Sequence, residues 1–158
     1  MELQQIGVIH SPFCQPDGVP IQPRYAHAAE GTVEVFQPFA EGLRDLGGFE
    51  RIWLIYWFHQ AAAARLIVRP FKDKTERGLF ATRAPCRPNP IGISPVRLLA
   101  VKGRHLRVAD LDVLDGTPLL DIKPYVPEFD HYEIRRIGWL SEAGSQTTAD
   151  GRFSETKE

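Results

Sequence analysis

The chain has 158 residues, 43% hydrophobic and 25% charged, with a formal net charge of −1. That length suits one domain with a full core, and the charge excludes a global basic field, though not a local basic patch. Two cysteines, Cys14 and Cys86, exclude a disulfide framework and point to a reduced, cytoplasmic setting.

Residues 1–5 lack the charged start and apolar run of a signal peptide. Residues 3–9 read as a first strand with Ile6 and Val8 on one face, stopped by His10-Ser11-Pro12. Residues 14–24 form a loop rich in Pro, Gly and Gln, which reads as ordered against something or as a solvent-facing linker. Residues 31–36 alternate as a strand with one wetter face. Residues 39–46 suit a short helix ended by Gly47-Gly48. Residues 49–58 are apolar without alternation, which predicts a strand buried on both faces; the stretch is far short of the ~20 residues of a membrane span. It ends in His59-Gln60, a polar pair at a strand mouth that suits ligand contact or a satisfied structural histidine.

Residues 61–64 are weakly helical, 66–70 extended, and 72–77 a charged loop tip. The stretch 78–94 is apolar at both ends and holds three prolines, Arg83, Arg87 and Asn89 between them. Each proline fixes its own φ and biases the preceding residue away from the α region. Such a stiff loop can present donors to an anion or a planar polar ligand; alternatively its arginines bond nearby carbonyls. Residues 93–101 and 105–108 read as a hairpin. Asp115-Gly116-Thr117-Pro118 is a turn, and a strand resumes over 119–122. Asp121, Lys123 and Tyr125 alternate and so share a face. Residues 131–140 hold a last apolar pair, Trp139-Leu140, after which the composition is polar. We expect a domain over 1–140 and a polar tail over 141–158, frayed or docked late.

Six or seven strand candidates with little helix favour a mainly β fold, a barrel or sandwich with short helical insertions. The phosphate-binding glycine motifs, a zinc-protease helix and a nucleophile elbow are absent from the sequence. His10, Cys14 and Cys86 could meet a metal, but no other spacing supports one.

The residues also carry a resemblance. Phe80-Ala81-Thr82-Arg83, then Arg87-Pro88-Asn89-Pro90-Ile91-Gly92-Ile93-Ser94, Asp115-Gly116-Thr117-Pro118 and Asp121-Ile122-Lys123-Pro124-Tyr125 resemble the signature of the TrmO family, also called YaeB-like or TsaA-like. Ile6-Gly7-Val8-Ile9, Val19-Pro20-Ile21-Gln22-Pro23 and the run from Trp53 to Gln60 add to it. The resemblance implies a single-sheet antiparallel β-barrel, not a Rossmann fold. It also implies a homodimer, S-adenosylmethionine as cofactor, no metal and no membrane. The implied reaction methylates N6 of threonylcarbamoyladenosine beside the anticodon of certain tRNAs.

By position, it implies cofactor contacts from Ile21, Gln22, Pro23, His59, Gln60, Arg83, Ile93, Asp112, Val113, Leu114 and Asp115. Some bacterial members carry an arginine where Ile21 stands, and longer members extend well past the barrel. For the transfer, Asp115 or Asp121 is a candidate proton acceptor. Lys123 and Arg87 are candidates to hold a carboxylate or phosphate. Tyr125 is a candidate to stack on the base, and Asn89 to orient it. Asp115 reads equally as a turn residue bonding its own backbone. A different RNA or small-molecule acceptor, or a non-catalytic cofactor-binding barrel, are the competing readings.

Overall fold

The computed structural model describes residues 2–155. Six antiparallel strands close into a barrel: β1 (Gly7–His10), β2 (Glu30–Val35), β3 (Arg51–Trp57), β6 (Ile91–Lys102), β7 (His105–Ala109) and β8 (Thr117–Pro124). Around the barrel the order is β1-β2-β7-β6-β3-β8, and β8 pairs back onto β1. A two-stranded ribbon, β4 (Ile67–Val68) with β5 (Arg77–Gly78), stands beside it. The expected single-sheet barrel is therefore present, closed rather than open, so it leaves no barrel edge to manage.

The core is made by period-two alternation. Ile52, Leu54 and Tyr56 of β3 point inward, as do Val33 and Val35 of β2, Val96 of β6, and Leu106 and Val108 of β7. Each such aliphatic side chain contributes about 1.5–3 kcal/mol on leaving water. The strand expected to be buried on both faces is not. In β3, Trp53, Ile55 and Trp57 point outward and are only half-buried. A continuous apolar run does not separate a two-sided burial from an outer face awaiting cover.

Other boundaries shift. The first strand begins at Gly7, and its inward residues are Gly7 and Ile9, one step out of phase with Ile6 and Val8. Gly7 leads the inward face because a Cβ there would overlap the Glu34 carbonyl. The helix expected over 39–46 is instead two 3₁₀ turns, Gln37–Leu43 and Leu46–Gly48. Residues 61–64 form no helix; Ala61 bridges to Ser154.

Two register shifts matter for the site. Between Ile55 and Tyr56 the β3–β8 pairing slips, so Leu119 points inward while Asp121 and Lys123 point out. β6 slips against β7 between Leu98 and Ala100. Such bulges re-aim side chains and increase strand twist.

The polar tail docks. Ala149 N donates to Val19 O at 2.7 Å, and Ile21 N to Thr147 O at 2.9 Å. Ala62 N donates to Phe153 O at 2.9 Å, and Glu155 N to Gln60 O at 3.1 Å. Phe153, 5% exposed, joins a satellite core with Val68, Leu79, Ala84 and Cys86. The segment thus straps two loops of the first half of the chain, around residues 18–21 and 60–62. Residues 156–158 of the expected tail lie outside the described residues.

Candidate functional site

At one mouth of the barrel lies a cavity of about 320 Å³. Four sources build it. The early Pro-rich loop brings Val19, Ile21 and Gln22; the end of β3 brings Tyr56, Phe58, His59 and Gln60. The loop before β6 brings Thr82, Arg83 and Arg87, and the turn after β7 brings Asp112, Val113 and Leu114. The strap adds Ala149, Gly151, Phe153 and Ser154.

Its floor is a chain of polar groups, Tyr56 and Ser94 buried and Asp112 half-buried. The Tyr56 and Ser94 hydroxyls share a hydrogen bond of 2.9 Å, and Ser94 Oγ donates to Asp112 Oδ1 at 2.6 Å. A serine has one proton to give, so Tyr56 donates to Ser94 and Ser94 to the carboxylate. Ser94 is fully buried in a strand whose other inward residues are apolar or glycine. Gly92 makes room for this arrangement, since a Cβ there would overlap the Tyr56 ring. Burial raises the Asp112 carboxyl from 3.8 to about 7, against the lowering pull of Ser94 and of the Arg83 charge. Burial and the Asp112 charge together push the Tyr56 phenol well up, so it keeps its proton.

The rim is cationic and amide-rich. Arg83 Nη1 donates to Gln22 Oε1 at 2.7 Å, closing one side. Gln60 Nε2 approaches His59 Nε2 at 3.3 Å, a donor meeting a neutral ring nitrogen. Partial desolvation holds His59 below its ordinary value, opposed by the charge of Asp115.

Most of the residues expected at a cofactor site gather here: Ile21, Gln22, His59, Gln60, Arg83, Ile93, Asp112, Val113 and Leu114 all line the cavity, with Arg87 beside them. Pro23 begins the adjoining 3₁₀ turn and is buried behind it. Arg87 Nη1 donates to the carbonyls of Thr82 and Ala84 at 3.1 and 3.3 Å, tying the loop to itself.

The remainder lie elsewhere. Asp115 is exposed and holds the end of β1, accepting from Ser11 N at 3.1 Å and meeting His10 Nδ1 at 3.3 Å. Asn89 is exposed, and its carbonyl accepts from Ile91 N. Asp121, Lys123 and Tyr125 share the outer barrel face as their alternation predicts. Lys123 Nζ lies 2.7 Å from Asp121 Oδ2, and Tyr125 packs on Trp53 with centroids 5.5 Å apart.

Sequence reasoning missed Tyr56, Ser94 and the strap. A serine at an inward register of an apolar strand, and one phenylalanine in a polar tail, were the legible signals. Cys14 is exposed and Cys86 buried, both unbridged. Among the described residues no three metal-ligating side chains gather, and no helix is long and apolar enough to cross a membrane.

Known proteins resemble this chain in sequence and fold. A "Probable S-adenosyl-L-methionine-binding protein" of Pyrococcus abyssi is 58% identical over 151 residues, 94% of this chain and 82% of that one. The "tRNA (adenine(37)-N6)-methyltransferase" of Escherichia coli is 40% identical over 136 residues, 80% of this chain and 58% of that one. A crystal structure of TrmO from Pseudomonas aeruginosa superimposes with a TM-score of 0.74 at 41% identity, covering 88% of this chain and 62% of that one. The chain thus spans less than two thirds of the length of the last two proteins. The family described as the tRNA-methyltransferase O N-terminal domain matches residues 8–131. Sequence and fold agree, and the chain belongs to the tRNA-methyltransferase O family.

Proposed function

We propose that the protein is an S-adenosylmethionine-dependent methyltransferase that methylates N6 of threonylcarbamoyladenosine at position 37 of tRNA, as the name of the Escherichia coli relative suggests for the adenine. It acts in the cytoplasm as a homodimer. The observation that carries this reading is the barrel-mouth cavity, where one carboxylate, two guanidinium groups and two side-chain amides converge on an apolar lining.

That donor set fits the cofactor. Asp112 offers an anion to a sulfonium cation, and Arg83 offers a fork to a carboxylate. Gln22 and Gln60 supply amide donors and acceptors, while Ile21, Phe58 and Leu114 supply apolar surface for an adenine. When bound, the cofactor supplies an electrophilic methyl group. The chain's own residues orient it: the Tyr56–Ser94 pair fixes the Asp112 carboxylate, and Gln22 fixes Arg83. Much of the rate then comes from alignment with the acceptor nitrogen. Methylation replaces an N–H by N–CH₃, and the displaced proton needs an acceptor. Asp112, poised near neutrality, is the carboxylate that lines the cavity; Asp115 and Asp121 are acceptors further out.

A dimer suits the outer surface. Ile93, Ile55 and Asp121 form one row across β6, β3 and β8. The chain beyond β8 exposes Phe129, Tyr132, Ile134 and Ile137. Exposed apolar residues that gather on one face often mark interaction sites. A two-fold pair of copies, each laying this arm on the other's outer face, covers both.

Incubation with S-adenosylmethionine and two tRNA pools, with and without threonylcarbamoyl-A37, tests the reading by mass spectrometry of the digested nucleosides. A methyl-sized gain confined to the modified adenosine is expected. No gain in either pool, with the cofactor shown to bind, overturns it.

A further inference from the structure

A second cavity, of about 670 Å³, adjoins the first. Both are bounded by Gln22, Arg83, Thr82 and Phe71, so the Gln22–Arg83 hydrogen bond is a shared partition. The two rooms differ in charge. The first holds Asp112. The second has Lys72 and Arg83 in its lining and no carboxylate. Its walls are strongly aromatic, with Tyr25, Phe71, Phe80 and Trp139 among them.

These aromatic rings are held in place, and each has a cation over it, the Arg152 guanidinium standing 5.3 Å from the Phe71 ring. Trp139 Nε1 donates to the Ala81 carbonyl at 2.8 Å, and the Arg77 guanidinium lies 5.7 Å from its ring. Lys72 Nζ donates to the Tyr25 hydroxyl at 2.8 Å and sits 4.7 Å from that ring's centroid. Phe80 is 76% exposed, with the Arg87 guanidinium 5.7 Å from its ring. A phenylalanine that exposed stabilises nothing in the folded chain, yet it stands at the rim of the cavity. Volumes of this order hold small-molecule ligands. Aromatic faces interleaved with cations are the means by which proteins stack unpaired bases and meet their anionic groups.

We infer that this second cavity is the acceptor pocket, taking a single extruded purine nucleoside with an anionic substituent, stacked on Phe80 and Trp139 and met by Lys72. The base then lies beside the cofactor cavity, and the Gln22–Arg83 hydrogen bond has to open for the acceptor nitrogen to meet the methyl group in line. Extruding a base from an RNA loop costs little, because such bases are already unpaired. The absence of a carboxylate from the lining favours an anionic acceptor, while Asp112 reserves the first cavity for a cationic cofactor. This inference rests on the RNA-methylation reading above.

The test uses the full chain and an anticodon stem-loop RNA with 2-aminopurine at the acceptor position. Stacking quenches its fluorescence without turnover. The wild-type protein is expected to quench it saturably. Phe80→Ala is expected to weaken that titration, and Phe80→Ala and Lys72→Gln each to raise KM for modified tRNA, by roughly 5- to 100-fold per stacking or charge contact. Calorimetric binding of S-adenosylmethionine should be unchanged in Phe80→Ala, which shows the variant folded. Quenching and KM that both survive the two substitutions overturn the inference while leaving the methylation reading intact. A wild-type protein that methylates no tRNA but quenches the probe in a Phe80-dependent way keeps the pocket and overturns the methylation reading. A wild-type protein that neither quenches nor methylates overturns both.

Discussion

At the scale of single residues, Asp112 decides most. Its carboxyl is raised from 3.8 to about 7 by burial. The folded protein therefore binds a proton that an unfolded chain lacks between those values. Its favourable contribution to stability is complete below the unfolded value and is lost as pH rises through the folded one. Asp112→Asn cannot ionise and removes that slope. Its melting temperature, taken relative to wild type, should rise between pH 5 and pH 8 in thermal scans. Ligand affinity should run the opposite way. An ionised carboxylate attracts a sulfonium, so S-adenosylmethionine should bind wild type more tightly as pH climbs through about 7. S-adenosylhomocysteine, which lacks that charge, should show little of this, and Asp112→Asn should show none. Calorimetric titrations with both ligands at three pH values check it. Equal pH slopes for the two ligands would remove Asp112 from the sulfonium's neighbourhood. The groups that face Asp112 are Ser94 from β6, Tyr56 from β3 and Arg83 from the Pro-rich loop. Of these only Arg83 carries charge near neutrality, and it acts in the direction of ionisation.

At the scale of elements, the strap over residues 147–155 is what turns an open barrel mouth into a walled cavity. It is anchored by Phe153, which meets Phe71 edge-on with centroids 5.0 Å apart. Truncating a buried phenylalanine costs about 3–5 kcal/mol where the surroundings do not collapse. That loss falls on the satellite core of Val68, Leu79, Ala84 and Cys86, not on the barrel interior. Phe153→Ala should therefore loosen the strap first. Amide exchange should accelerate at Ala62 and Ala149, and cofactor affinity should drop at least about tenfold, since one wall of the cavity goes with it. Amides inside the barrel, such as that of Leu54, should stay protected. Uniform loss of protection in both regions would show that strap and barrel form one cooperative unit.

At the scale of the whole molecule, the unpaired apolar surface sets the expectation. The arm after β8 exposes Phe129, Tyr132, Ile134 and Ile137, and the outward residues of β3 are half-buried. A homodimer in which each copy covers the other's face accounts for both. Sedimentation at micromolar concentration should give twice the chain mass. Ile134→Glu on the arm and Ile55→Glu on the barrel face should each shift the protein toward monomer, because a desolvated carboxylate without a partner is costly at an interface. A monomeric wild type, or dimers indifferent to both substitutions, would remove this arrangement.

The sequence by itself determined the class of fold and the membership of much of the site. Period-two alternation and short turn-bounded runs are local properties, and they placed β2, β6 and β7 before any coordinates; the stiff proline loop and the polar pair after β3 marked Arg83 and Gln60 as candidates for ligand contact, and the family motifs added Gln22. Family motifs carried the rest of that reading. Local pattern failed where the deciding contact is distant. The phase of β1 depends on Gly7 meeting the Glu34 backbone across the sheet. The 3₁₀ turns over 37–48 satisfy an amphipathic pattern without the hydrogen bonds of an α-helix. Only the tertiary structure brought Ser94, Tyr56 and Asp112 into one hydrogen-bonded chain, because they come from three different segments. Only it folded the polar tail back across residues 18–21 and 60–62, since a strap held by backbone hydrogen bonds leaves almost no mark on side-chain composition. The second cavity arises the same way: its aromatic walls run from Tyr25 to Phe153, most of the length of the chain, and closure of the barrel and ribbon brings them within reach of one base.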